Sequence, residues 1–362
     1  FKWENELFET TFRGLELAVT RTGMVSLTGV FDDVVIDGTT VNHAYLHNVD
    51  IFQKLALCPG DRIKVYKANQ IIPQIAENCV PGGVSRLPSL CPCCGSPLVI
   101  RESSGGTRQL YCDNKGCPAK LVRKFKHFCS KTRMGIEGLS ELTLEKFIRH
   151  GWIRNYGDLF QLEQHREAVI ATPGFGEKSF ARLQKAIDKR RTCHLNEFVA
   201  ALGIPEVGRH AGRILNSHFH GSWAQFEQAI KDNFDFTQLT DFGQIMHDNI
   251  YTWYADVENA KLWRPALDHI TFMEEETMST TTETRHNPFY GKTVVATGKL
   301  INYTRDEIQN KLLILGAKPT GSVTKKTDYL IVGENAGSKL SKAISLGVCT
   351  ISEDEFERML CE

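Results

Sequence analysis

The sequence predicts a multidomain α+β protein: a small β-barrel, a four-cysteine module, an all-α repeat and a small parallel α/β domain, in that order. Three observations predict it. Four cysteines stand at regular spacing between residues 91 and 117, and four short glycine-containing turns recur in register through the middle of the chain. The hydrophobic pattern changes from strand-like to helical, then to alternating strand and helix. With 362 residues, the chain exceeds what one hydrophobic core serves, so several compact units are expected.

Residues 11–84 read as the barrel. The runs LELAVTRTG, MVSLTGVFDDVVI, TTVNHAYL and DRIKVYK alternate or cluster β-branched residues, with Gly23, Gly38 and Gly60 as turn punctuation. Strands at this spacing suit a small closed barrel or a sandwich.

Residues 85–118 carry the cysteines. Two residues separate Cys91 from Cys94, seventeen separate Cys94 from Cys112, and four separate Cys112 from Cys117. Four thiolates in a tetrahedral set are what structural Zn²⁺ prefers, and they leave no open position for catalysis. Cys93 is an alternative ligand, but Cys91 with Cys94 restores the two-residue gap. The stretch has too few large apolar residues for its own core, so metal is expected to drive its folding.

Residues 119–268 are patterned as helices, with Leu121, Phe125 and Phe128 forming one apolar stripe. The turns IEGLS (136–140), TPGFGEKS (172–179), IPEVGR (204–209) and TDFGQ (240–244) interrupt them. Aligning Ser140, Gly176, Gly208 and Gly243 gives intervals of 36, 32 and 35 residues, an internal repeat of helix–turn–helix units. Gly174 and Gly176 allow backbone conformations closed to other residues and place no side chain between backbone and ligand. The helix that follows starts with unpaired N–H groups, and Lys178 adds charge, a combination that suits phosphate oxygens. Such a turn grips a sugar–phosphate backbone and not base edges. Glu206 and Asp241 replace the first glycine of the third and fourth turns, so the second turn is expected to bind best. Between Lys120 and Arg133 stand six Lys or Arg and no acid, making Lys120, Arg123 and Lys124 candidate phosphate contacts.

Residues 269–287, acidic and threonine-rich, read as a solvated linker. In 288–362, KTVVATG, DYLIVGE and VCTIS read as strands; RDEIQNKLLILG, SKLSKAISLG and EDEFERML read as helices. GENAGSK fails the phosphate-loop spacing. His210, His218 and His220 have no carboxylate or Cys at ligand spacing and read as surface or packing residues.

Lys and Arg number 43, as do Asp and Glu, which excludes capture of nucleic acid by net charge but not by local patches. No run approaches the length of a membrane span. Eleven cysteines without a pairing pattern fit a reducing, cytoplasmic compartment. A chain opening on Phe is expected to begin inside a longer protein.

This order of parts resembles the NAD-dependent bacterial DNA ligases. VTRTG (19–23) and TVNHAYLHN (40–48) resemble the signatures of that family's oligonucleotide-binding (OB-fold) barrel. GKTVVATGKL, GAKPTGSVTKKTDYLIVGE and GSKLSKAISLGV resemble its BRCT domain. The resemblance implies an OB-fold β-barrel, a four-cysteine zinc module, an all-α helix-hairpin-helix domain and an α/β BRCT domain. It makes residues 1–10 the end of the adenylation domain, with Lys2 of FKW against the adenylate phosphate. It places Arg21 on DNA across the nick, and Thr297, Gly298 and Lys339 where some BRCT domains hold a phosphate. It implies nick sealing in DNA replication and repair with NAD and Mg²⁺ (or Mn²⁺), nicked double-stranded DNA as partner, no membrane, and a monomer. The family's Lys-x-Asp-Gly nucleophile motif does not occur in this sequence, so the chain is expected to bind a nick without sealing it. KANQIIP (67–73) departs from the family pattern, with Asn69 and Gln70 in place of Gly and Asp. A non-catalytic scaffold for DNA or protein, or an inactive paralogue, is the alternative.

Overall fold

A computed structural model describes residues 6–81, 83, 85–103, 105–273, 287–334 and 336–361. Lys2 and the centre of the acidic linker lie outside the described residues. The chain divides into two units, residues 1–274 and 275–362.

The first unit opens with β1 (Phe8–Val19), β2 (Met24–Ile36), β3 (Thr39–Tyr45), α1 (Val49–Leu55), β4 (Arg62–Ala68) and β5 (Ile72–Asn78). β1 pairs antiparallel with β2 and β4, β2 with β3, and β4 with β5. Along β2, Val25, Leu27 and Phe31 point inward at alternate positions, so one face of a two-residue period fills the barrel. Phe52 of α1 is buried in the same core. β1 begins at Phe8, within the stretch expected to close the preceding domain. The departure at Asn69 and Gln70 is the tip of the β4–β5 hairpin, where both residues take left-handed φ values of 52° and 62°.

β6 (Leu98–Glu102) and β7 (Arg108–Cys112) form the hairpin between the two cysteine pairs. β7 also pairs with β2, Met24 opposite Tyr111 and Val25 opposite Leu110. Leu110, Cys91, Cys112 and Cys117 therefore share one core with Phe12, Val19 and Val25. The cysteine stretch is an extension of the barrel sheet and shares the barrel's core, having too few large apolar residues for one of its own.

Helices follow: α2 (Pro118–Cys129), α3 (Glu141–Arg149), α4 (Tyr156–Leu159), α5 (Arg166–Ile170), α6 (Glu177–Asp188), α7 (Leu195–Leu202), α8 (Arg209–His218), α9 (Trp223–Lys231), α10 (Gln244–Ala255) and α11 (Val257–Trp263). They share one large core. The short strands β8 (Thr192–Cys193) and β9 (Thr271–Phe272) pair in parallel, so this part continues past residue 268. Of the apolar stripe on α2, Phe125 and Phe128 are buried while Leu121 is half-buried.

In the second unit β10 (Thr293–Thr297), β11 (Lys318–Pro319), β12 (Tyr329–Val332) and β13 (Cys349–Ser352) make a parallel sheet in the order β11-β10-β12-β13. α12 (Arg305–Ile314), α13 (Gly337–Leu346) and α14 (Glu353–Cys361) complete it. The expected three strands and three helices are all present. The two-residue β11, which ends in a proline, carries no sequence signal. Two buried clusters, around Val294 and Ile331 and around Val295 and Leu330, fit a sheet covered on both faces.

Candidate metal centre and nucleic-acid interface

The sulfurs of Cys91, Cys94, Cys112 and Cys117 all lie within 4.8 Å of one another. Cys91 and Cys117 stand 3.9 Å apart, Cys94 and Cys112 3.6 Å. Zn–S bonds of about 2.3 Å put the sulfurs of a regular tetrahedron about 3.8 Å apart, so the four thiols fit a four-coordinate zinc. Cys93 is exposed and outside the cluster, as the two-residue gap required.

Local backbone geometry makes each half of the set. Gly95 N–H donates to Cys91 O at 2.9 Å, and Cys91 N–H to Ser96 O at 2.8 Å, curling the first loop. Gly95 closes that loop with a φ of 69°. In the second loop Gly116 N–H donates to the Asn114 side chain at 2.9 Å. Cys117 is the residue capping α2, with Pro118 at the first helical position, so a thiol ligand starts the basic helix. Ser96, through hydroxyl and backbone, draws the Cys94 thiol down to about 6. Burial pushes Cys112 up to about 12 and Cys117 in the same direction. A bound dication would offset that desolvation and hold all four as thiolates.

The four helical turns share one geometry. Ser140, Gly176, Gly208 and Gly243 are the capping residues of α3, α6, α8 and α10, each with extended backbone. Two residues earlier stand Gly138, Gly174, Glu206 and Asp241, with φ values of 94°, 90°, 61° and 63°. Seven residues after each cap come Phe147, Leu183, Leu215 and Ile250, none more than 1 % exposed. The repeat is thus real in conformation and in packing. At Glu206 and Asp241 the chain keeps the left-handed turn at the cost of backbone strain that glycine avoids.

The glycines at the caps need another explanation. A Cβ added to Gly176, Gly208 or Gly243 meets no atom within 4 Å, and none of the three has a left-handed φ. Packing leaves room for a side chain there and φ does not demand glycine, though glycine is also a favoured helix cap. Gly174 also faces open space, and Lys178 is exposed in the first turn of α6.

The basic helix divides differently from its sequence. Arg123 Nη1 and Lys126 Nζ lie 2.9 and 2.6 Å from Glu141 Oε2, so Arg123, expected on phosphate, is paired with the first residue of α3. Lys120 and Lys124 turn instead into a cavity that Arg21 also lines. Arg21 Nη1 donates to Gly203 O at 2.7 Å, tying the β1–β2 turn to the end of α7 while the residue also lines the cavity. Sequence spacing gave no hint of Gly203 or Glu141, because both contacts are tertiary.

His210 is exposed, as the sequence reading had it, and its Nε2 lies 2.9 Å from Asp241 Oδ2. In the second unit Thr297 Oγ1 donates to Ala336 O at 3.0 Å. A Cβ on Gly298 would lie 2.6 Å from the carbonyl oxygens of Gly333 and Glu334, which accounts for the glycine; Thr297, Gly298 and Lys339, expected together, line one cavity.

These parts define a modular protein built on an oligonucleotide-binding type of barrel, with a four-thiol centre and glycine-turn helices attached. Residues 9–81 match the NAD-dependent DNA ligase OB-fold domain, and residues 284–360 match the BRCA1 C Terminus (BRCT) domain. The whole chain is 38 % identical over 365 residues to a DNA ligase of Lachnoclostridium phytofermentans, of which the match covers 55 %. A DNA ligase of Symbiobacterium thermophilum is 38 % identical over 99 % of this chain, and DNA ligase 2 of Clostridium acetobutylicum 36 % over 99 %. The chain spans about half the length of these relatives, covering 55 %, 53 % and 52 % of them. The matches fit the C-terminal portion of an NAD-dependent DNA ligase. No helix among the described residues is long and apolar enough to cross a membrane.

Proposed function

We propose that this chain is the nick-binding part of an NAD-dependent DNA ligase, holding nicked duplex DNA while 3′-hydroxyl and 5′-phosphate ends are joined through an adenylated intermediate. The observation that carries this reading is the set of cap glycines at 176, 208 and 243, which face open space and place no side chain over the helix starts. Bare N–H groups at helix starts, with Lys178 beside one of them, suit phosphate oxygens and ignore base identity. Gly174 lets the second helix-hairpin-helix turn approach the backbone without an acid, so that turn contributes most. Cys91, Cys94, Cys112 and Cys117 hold a structural Zn²⁺ that fixes the start of α2 against the barrel. NAD supplies the adenylyl group and Mg²⁺ (or Mn²⁺) offsets phosphate charge in the whole protein. Lys2 belongs to that adenylate site by family resemblance. Arg21 meets DNA across the nick by the same resemblance.

An electrophoretic shift with nicked duplex tests this. The expected result is a complex at low ionic strength whose affinity falls steeply as salt rises, with little dependence on sequence. Absent or salt-insensitive binding would leave the scaffold reading. With NAD and Mg²⁺ the isolated chain should gain no covalent AMP by mass spectrometry.

A further inference from the structure

Between the β1–β2 turn, the start of α2 and the α10–α11 corner lies a cavity of 670 Å³. Arg21, Lys115, Lys120 and Lys124 line it together. They repel one another: burial lowers the Lys124 ammonium, Lys120, Arg21 and Lys115 act in the same direction, and Asp256 opposes them. Asp256 is committed elsewhere, its Oδ1 accepting from Glu258 N–H at 3.0 Å and Asn259 N–H at 3.1 Å to cap α11. Glu258, also on the wall, is paired with Lys261 at 2.7 Å.

The cations are held in place. The bond to Gly203 O pins Arg21. The Lys120 stem lies so close to Gly23 that a Cβ there would stand 2.6 Å from its Cε. Positive charges that outnumber the carboxylates of a partly desolvated pocket are unfavourable unless an anion joins them. Walls from both the barrel and the helices leave room for a small molecule.

We propose that this cavity binds a small diphosphate compound, free pyrophosphate or the diphosphate of a nucleotide, at a site separate from the helical turns that face DNA. Bound there, the anion bridges Lys120 and Lys124 of α2 to Arg21 of the barrel, and so stiffens the junction between barrel and helices.

Calorimetric titration of the full chain with inorganic pyrophosphate, and separately with ADP, tests this. The expected result at about 50 mM salt is one saturable site, weakened about tenfold or more in the K120Q/K124Q double variant. Lys54→Gln, which removes an exposed charge on α1, should leave it unchanged, and Lys124→Arg should retain most of it. Tighter binding of ADP identifies a nucleotide as the source, and equal binding identifies the diphosphate alone. No saturable binding of either probe overturns the proposal. So does binding that K120Q/K124Q leaves intact, or that Lys54→Gln weakens equally.

Discussion

His210 Nε2 lies 2.9 Å from Asp241 Oδ2, so the helix after the third turn is hydrogen-bonded to the acid of the fourth. Both side chains are exposed, and Asp241 holds a left-handed φ of 63° where the first two turns have glycine. The carboxylate repels phosphate and occupies the histidine that could meet it. Asp241→Gly removes the acid, frees His210 and relieves the backbone. Affinity for nicked duplex at low salt should rise about two- to fivefold. Thermal stability should hold or rise, because exposed pairs contribute little and glycine suits that φ. An electrophoretic shift beside a thermal melt measures both; weaker binding would make Asp241 a contact and not an obstacle.

Gly176 separates fold from binding. Its φ of −163° is open to any residue, and nothing stands within 4 Å of an added Cβ. Gly176→Val should therefore melt close to the parent. Its branched side chain would cover the first N–H groups of α6, and affinity for DNA should fall about tenfold. Gly174→Val should lower the melting temperature as well, since φ at that position is 90°. A Gly176→Val protein that binds DNA normally would remove the turn from the interface.

The sequence made the periodic features legible and left the tertiary ones hidden. Ser140, Gly176, Gly208 and Gly243 could be aligned because each starts a helix with the same apolar follow-up, and the structure makes all four caps. The four-cysteine cluster was legible because its ligands sit in two short loops. Pairing of β7 with β2 was not, since Leu110 meets Val25 across a long stretch of chain. Arg21 and Arg123 looked free in sequence, yet Gly203 O and Glu141 hold them through contacts no local pattern encodes.

That pairing decides what metal removal should do. Cys112 N–H donates to Gly23 O at 2.8 Å, and Cys91, Cys112 and Cys117 belong to the barrel core. Elemental analysis should find one zinc per chain. A chelator should then lower hydrogen-exchange protection at Met24 and Val25 as well as in 85–118, and fray the start of α2 behind Cys117. Loss confined to 85–118 would show that the barrel edge stands without the metal.

Acid should loosen the helical part through His127. Burial, with Arg21 and Arg133 nearby, pushes its imidazole down to about 4 from 6.5, and Nε2 faces Ala200 O at 3.2 Å. Between those two values the unfolded chain takes up a proton that the folded one refuses. The stabilisation is therefore complete above about pH 6.5 and is lost as pH falls toward 4. Gln at this position keeps a donor for Ala200 O and has no proton to gain. Denaturant melts from pH 7 to pH 5 should show His127→Gln losing less stability than the parent, by about 1–2 kcal/mol. Parallel slopes for the two proteins would mean that His127 titrates alike whether folded or unfolded, and that acid acts elsewhere.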